Sequence, residues 1–106
     1  MSKFSLFGKF TVQEGQRDTM VEILLEAAES MKDLQECEIY LVSVAEDKPN
    51  TVYVYEVWSH EEAHQASLTL DATKKLIQRA KPIITGMERI STLKTIGGKG
   101  VSLSSL

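Results

Sequence analysis

The chain has 106 residues, of which 42% are apolar and 25% charged, and this balance excludes collagen-like, low-complexity and wholly disordered proteins. Its 12 Lys and Arg against 15 Asp and Glu give a net charge of −3, which argues against nucleic acid or an anionic membrane as a partner. The single cysteine, Cys37, has no partner for an intrachain disulfide, and the first residues lack the apolar run of a secretory signal. No segment approaches the ~20 apolar residues of a membrane span. We therefore expect one domain in the cytoplasm.

The first two predicted elements are a strand and an amphipathic helix. Apolar and polar side chains alternate from Phe4 to Val12, which predicts a strand with one buried face. Gly8 falls on that apolar face, where a glycine indicates either tight packing or, alternatively, a bulge or a close approach to the backbone. Beyond Gly15, apolar residues recur at spacings of three and four from Met20 to Leu34, which predicts a helix.

A β-hairpin is predicted next. Cys37 to Ala45 and Thr51 to Trp58 are rich in β-branched and aromatic residues and enclose the turn sequence Asp47-Lys48-Pro49-Asn50. In the second of these strands, both faces carry apolar or aromatic side chains. We therefore expect helices to cover one face of the sheet and a second sheet to cover the other.

Two short helices and a final strand complete the predicted order. The sequence Ser59-His60-Glu61-Glu62 has the form of a capping box and predicts a helix that begins at His60. A break follows near Asp71, which is predicted to cap a further helix, and Pro82 is predicted to end that helix. Met87 to Ile96 is rich in β-branched residues and predicts a strand, although its apolar spacing also fits a helix.

This order of elements predicts an α+β fold of the ferredoxin-like, split βαβ type, with a four-stranded antiparallel sheet and helices on one face. The other face would expose Tyr53, Tyr55 and their apolar neighbours, a larger patch than soluble monomers usually tolerate. We therefore expect a homodimer in which two sheets pair face to face. The predicted domain spans residues 1–98, and residues 99–106 are predicted to be a flexible C-terminal tail.

Four segments of the sequence carry a resemblance to a known family. They are Gly8-Lys9-Phe10-Thr11-Val12, Glu38-Ile39-Tyr40-Leu41, Tyr55-Glu56-Val57-Trp58-Ser59 and the stretch from Leu93 to Gly100. In these segments the chain resembles the antibiotic biosynthesis monooxygenase family, which includes quinol monooxygenase-like proteins that form a dimeric α+β barrel. The resemblance implies a homodimer in which a pocket between sheet and helices binds a small aromatic substrate, a quinol or polycyclic phenol. O2 would oxidise that substrate without a metal or an organic cofactor, because an electron-rich phenolate can itself donate an electron to O2.

The same resemblance points to three candidate catalytic residues. Trp58 matches the family's pocket tryptophan, whose indole N–H could hold a substrate oxygen; a core tryptophan is the alternative. Glu56 lies two residues earlier on the same face and could act as a base, or instead form a structural ion pair or hydrogen bond. His64 could be a base, since an unperturbed histidine has a pKa of about 6.5. Many family members have their histidine one helical turn later, where this chain has Ser67.

Four residues are candidates for substrate binding. Tyr40 matches an aromatic position of the family, Gly8 and Phe10 lie on the inner face of the first strand, and Ser67 occupies the family's histidine position. Without a matching helix histidine, haem degradation is disfavoured, and the two histidines present lack a third metal ligand, so no metal site is predicted. The missing family histidine also leaves an alternative to an enzyme, a non-catalytic dimer that binds a small molecule.

Overall fold

The computed structural model describes residues 2–100, which form one four-stranded sheet and three helices. The elements are β1 (Lys3–Val12), α1 (Arg17–Ser30), β2 (Cys37–Ser43), β3 (Thr51–Trp58), α2 (Glu61–Ser67), α3 (Asp71–Ala80) and β4 (Ile84–Thr95). The sheet is antiparallel in the order β2-β3-β1-β4, which confirms the predicted α+β, ferredoxin-like fold. None of the helices in residues 2–100 is long and apolar enough to cross a membrane. Residues 101–106 of the predicted tail lie outside the described residues.

The core lies between α1 and the two central strands, β1 and β3. Its main cluster consists of buried side chains from the sheet and from two helices, namely Val12, Met20, Ile23, Leu24, Val52, Val54 and Ala80. Four residues of the apolar stripe predicted for the first helix, namely Met20, Ile23, Leu24 and Ala27, are buried along α1. The spacing of apolar residues therefore predicted both the helix and the face by which it packs on the sheet.

The start of α2 differs from the sequence prediction. Ser59 is hydrogen-bonded to β2 and the residue before it, not to the start of α2. Its backbone N–H donates to the carbonyl oxygen of Glu36 at 2.8 Å, and its Oγ donates to Glu38 Oε2 at 3.1 Å. The cap of α2 is His60, whose Nδ1 accepts a hydrogen bond from the backbone N–H of Ala63 at 3.1 Å. The predicted capping box is therefore wrong, because the serine hydroxyl that would form it is bound to another strand.

The break between α2 and α3 lies where it was predicted, but the cap of α3 does not. Leu70 occupies the cap position without a side-chain hydrogen bond, and Asp71 is the first helical residue, so the prediction of Asp71 as the cap is wrong. α3 ends shortly before Pro82, as predicted. β4 begins at Ile84, earlier than predicted, because Ile84 pairs with Val12 at the end of β1.

β1 and β4 approach each other closely at Gly8, where their pairing is irregular. Phe7 pairs with Ser91 but Gly8 pairs with Arg89, so β4 bulges between these two pairs. A Cβ on Gly8 would lie 3.1 Å from the carbonyl oxygen of Glu88, closer than side chains normally approach. The structure therefore has both features that were expected of Gly8, tight packing and a bulge beside it. The bulge also puts Arg89 on the face of the sheet that the helices cover.

The opposite face of the sheet is rich in aromatic and apolar side chains. Phe7 stacks on Tyr53 with ring centroids 6.0 Å apart and meets Tyr55 edge-on at 6.5 Å. Leu41 and Leu93 on the same face are 55% and 46% exposed. This is the face for which the sequence predicted a second sheet.

We expect Gly8→Ala to lower the free energy of unfolding by about 1–2 kcal/mol, because the added methyl group would displace the Glu88 carbonyl oxygen. Gly86→Ala, also within this strand pair, is the matched control. A Cβ on Gly86 would lie 3.7 Å from its nearest neighbour, an ordinary contact, and alanine also restricts the unfolded chain. We expect this control to change the free energy by less than about 0.5 kcal/mol or to raise it. Urea denaturation measures both variants, and equal losses would contradict close packing at Gly8.

Candidate functional site

A cavity of about 630 Å³ lies between the sheet and the helices, within the size range of small-molecule sites. All four strands and all three helices contribute to its wall, which is formed by Phe10, Leu24, Met31, Tyr40, Glu56, His64, Ser67, Leu68, Thr73, Leu76, Ile77, Ala80, Lys81, Ile84, Met87 and Arg89. The structure thus brings five of the predicted site residues together, namely Phe10, Tyr40, Glu56, His64 and Ser67. Trp58 and Gly8 do not line this cavity.

Glu56 and Trp58 lie two residues apart on the helix face of β3 and are joined by a hydrogen bond. The indole Nε1–H of Trp58 donates to Glu56 Oε1 at 3.0 Å, and Trp58 is only 1% exposed. In this structure the N–H that was expected to hold a substrate oxygen is bound to the Glu56 carboxylate. Burial raises the pKa of Glu56 above its ordinary value, while the Trp58 hydrogen bond and the charge of Arg89 act in the opposite direction.

His64 is 8% exposed, and its ring lies between two aromatic side chains. The ring centroid is 5.7 Å from that of Phe4 and 5.6 Å from that of Trp58, which it meets edge-on. Burial lowers the pKa of His64 below its ordinary value, the positive charge of Arg89 acts in the same direction, and Glu61 opposes them. His64 is therefore neutral near pH 7 and can accept a proton.

Tyr40 lies directly opposite Glu56 in the β2–β3 pair. Burial, and next the negative charge of Glu56, raise the pKa of the Tyr40 phenol well above its ordinary value. Tyr40 therefore keeps its proton at physiological pH and is a hydrogen-bond donor rather than a base.

Ser67 lies at the end of α2, where it forms part of the cavity wall and is buried. Its Oγ donates to the carbonyl oxygen of His64 at 2.6 Å, and its own carbonyl oxygen accepts from Thr73 Oγ1 at 2.7 Å. The first bond lies within α2 and the second connects α3 to α2, so the Ser67 hydroxyl already has a structural partner.

A smaller hollow of about 170 Å³ is lined by Gly8 and adjoins the main cavity. Its wall shares five residues with that cavity, namely Phe10, Glu56, His64, Met87 and Arg89. Gly8, predicted to bind substrate, thus lies beside the acid–base residues rather than in the main cavity wall.

Sequence reasoning missed Arg89, which borders both spaces. The sequence offered one signal of a functional residue here, a charged arginine within a predicted strand that is rich in β-branched residues. The bulge beside Gly8 interrupts the alternation of β4, so the face that Arg89 occupies could not be assigned from the sequence.

The cavity therefore combines apolar walls with a neutral base, a buried carboxylate, a phenol donor and a guanidinium group. Within residues 2–100, no three or more His, Cys, Asp or Glu side chains are grouped so that they could hold a metal ion. Such an arrangement can bind an aromatic ring and remove a proton from a hydroxyl group on it.

Comparison with known proteins agrees with this fold. Residues 4–79 match the family model described as antibiotic biosynthesis monooxygenase. The crystal structure of a Chloroflexus aurantiacus protein, provisionally named an antibiotic biosynthesis monooxygenase, is 30% identical, with a TM-score of 0.79 over 94% of this chain and 99% of that chain. A protein from Pseudomonas aeruginosa is 11% identical with a TM-score of 0.82, over 92% of this chain and 97% of that one, and shares the fold. None of the curated proteins compared matches the chain.

The family match spans more than half of the chain, and the Chloroflexus aurantiacus protein is similar over nearly its whole length. The chain therefore belongs to the antibiotic biosynthesis monooxygenase family.

Proposed function

We propose that the protein is a cofactor-independent monooxygenase that oxidises a quinol or a polycyclic phenol with O2. The observation that carries this proposal is the convergence of His64, Glu56 and Tyr40 on an apolar cavity of about 630 Å³. Family membership supports the reaction type, and the cavity supports the substrate class. Its apolar walls suit aromatic rings, and its acid–base groups suit a hydroxyl group.

The proposed reaction balances without an external reductant. A quinol gains one oxygen atom of O2 at a ring carbon and becomes a hydroxyquinone, whereas a polycyclic phenol whose keto tautomer has a methylene group becomes a ketone at that carbon. In both cases the second oxygen atom of O2 leaves as water with two hydrogen atoms from the substrate. The substrate supplies all the electrons once a proton has left it. The protein therefore has to remove that proton, hold the ring and exclude water.

In this proposal each polar residue of the cavity has a separate role. His64 accepts the substrate proton, because it is buried and neutral near pH 7. Glu56 faces a substrate hydroxyl with Oε2, since Oε1 is bound to Trp58, and Trp58 is a positioning residue. Tyr40 donates a hydrogen bond to a substrate oxygen, and Phe10 forms part of the wall against which the ring packs.

The alternative is a member of the family that binds a small molecule without reacting with it. Ser67 favours this alternative, because its hydroxyl is bound to the backbone of α2 and cannot replace the family's histidine as a base. The two functions differ in oxygen consumption, which the first experiment below measures.

We further propose that the exposed aromatic face of the sheet pairs with the same face of a second copy. Phe7, Tyr53 and Tyr55 form a cluster there, and Leu41 extends it to the edge strand. Apolar patches of this kind mark interaction surfaces in soluble proteins. A homodimer would cover the patch with residues that match it by symmetry.

The first experiment is oxygen uptake by metal-stripped protein with hydroquinones and anthrone as substrates. We expect catalysed uptake whose kcat/KM is constant from pH 7 to 8. It should fall as the pH drops through a midpoint below about 6.5, because His64 loses its base function when protonated and its pKa is lowered. His64→Gln should reduce kcat/KM by about 100-fold and remove this acidic limb.

His60→Gln is the matched control, because His60 is the other histidine of the chain and is exposed at the cap of α2. We expect it to keep the wild-type rate and pH profile. Uptake no faster than the spontaneous reaction across the panel would contradict the proposed function and support the binding protein instead.

Trp58→Phe tests the positioning of Glu56. In the wild-type protein the indole N–H donates to Glu56 and lowers the pKa of that carboxyl group. The variant lacks this donor, so we expect the pKa of Glu56 to rise and kcat/KM to fall by about tenfold. Carbon-13 NMR of labelled glutamate measures the pKa. Glu56→Gln should cause a loss of similar size, and the double variant should lose little more, because both changes remove one interaction. Fully additive losses would show that Trp58 acts independently of Glu56.

Leu41→Glu tests the proposed dimer, because it puts a charge on the aromatic face of the sheet. We expect it to weaken dimerisation by about tenfold or more in sedimentation equilibrium. Leu25→Glu is the control, since Leu25 on α1 is 52% exposed, close to the 55% of Leu41. A monomeric wild-type protein, or equal effects of the two variants, would exclude this face as the dimer interface.

A further inference from the structure

Arg89 is a cation at the edge of the cavity with no ion-pair partner among residues 2–100. The Lys and Arg side chains that do form ion pairs in this part of the chain are Lys3, Lys9, Lys32 and Arg79. Arg89 instead borders the main cavity on one side and the smaller hollow beside Gly8 on the other. Its guanidinium group is thus available to a ligand that enters either space.

Neither Glu88 nor Glu56, the acidic residues that line these spaces with Arg89, forms an ion pair with it in the described part of the chain. Glu88 lines the smaller hollow, but it pairs with Lys9 at 3.5 Å. Glu56 accepts the Trp58 hydrogen bond; burial is the largest effect on its pKa and raises it, while Trp58 and the charge of Arg89 lower it. A second cation, Lys81, belongs to the wall of the main cavity. The cavity therefore has a positive edge in a chain whose net charge is −3.

We infer that Arg89 is a specificity-determining residue that binds a carboxylate group on the aromatic substrate. The planar guanidinium group can donate two parallel hydrogen bonds to the two oxygens of a carboxylate. Arg89 is solvent-exposed and lies at the edge, so it can hold an ionised group there without removing it fully from water. The apolar interior then receives the ring, with its hydroxyl group toward His64 and Glu56.

The identification of this ligand as the substrate rests on the proposed function. The preference of the cavity for an aromatic molecule that carries a carboxylate does not. The test therefore measures binding under nitrogen, where no oxidation can occur. The probes are 1-hydroxy-2-naphthoate and 1-naphthol, which differ only by the carboxylate group. Isothermal titration calorimetry gives the Kd of each probe for the wild-type protein and for each variant.

We expect wild-type protein to bind 1-hydroxy-2-naphthoate about tenfold more tightly than 1-naphthol. Arg89→Gln should weaken binding of the naphthoate by about tenfold and change binding of 1-naphthol by less than about twofold. Arg89→Lys, which keeps the charge but not the paired donors, should give an intermediate loss. Lys94→Gln is the control for net charge, because Lys94 is on the same strand and outside both spaces.

A second measurement distinguishes a direct contact from a general loss of structure. Because the charge of Arg89 lowers the pKa of His64, a carboxylate bound to Arg89 should raise that pKa. Proton NMR of the two histidines should show this rise with the naphthoate in wild-type protein, and not with 1-naphthol or in Arg89→Gln.

The inference is overturned if wild-type protein binds both probes equally or binds neither. It is also overturned if Arg89→Gln weakens both probes to the same extent, which would indicate a loss of packing. A selective loss for the naphthoate without any oxygen uptake in air would leave this inference intact and contradict the proposed monooxygenase. Selective loss together with uptake would support both.

Discussion

The burial of a carboxylate between the sheet and the helices is the constraint on which the site depends. Glu56 follows Val52 and Val54 on the helix face of β3, and both valines are fully or almost fully buried. An apolar side chain at position 56 would continue the core, whereas a carboxylate there needs hydrogen-bond donors and space. Trp58 supplies a donor, and the cavity supplies the space. Local rules of core packing are broken here, as is common where a protein binds a ligand.

The same burial biases each acid–base group of the cavity toward its neutral form. It raises the pKa of Glu56 and of Tyr40 and lowers the pKa of His64, because a low-dielectric environment disfavours charge of either sign. Arg89 is the contrast, since it is exposed and stays charged. The site therefore has an interior with little charge and a positive edge. This distribution suits an aromatic ligand that enters ring first with an anionic group behind it.

Much of the fold could be predicted because it depends on patterns within single segments. The alternation from Phe4 to Val12 predicted β1, and the apolar spacing from Met20 onward predicted α1 and its buried face, although α1 ends at Ser30, before the predicted Leu34. Alternation also placed Glu56 and Trp58 on one face of β3, which is where they lie. The capping of α2 could not be predicted in the same way, because the Ser59 hydroxyl is bound to Glu38, a residue on another strand.

The sequence by itself therefore determined the order of elements, the α+β class and the shared face on which Glu56 and Trp58 lie. Only the tertiary structure decided which polar groups meet. It brought His64 into the same cavity wall as Glu56, directed the Trp58 N–H to that carboxylate, and turned Arg89 toward the cavity through the bulge opposite Gly8. The physical reason is that the periodicity of apolar residues depends only on the sequence of a single segment. The register between strands and the choice of hydrogen-bond partner depend on residues that are distant in the sequence.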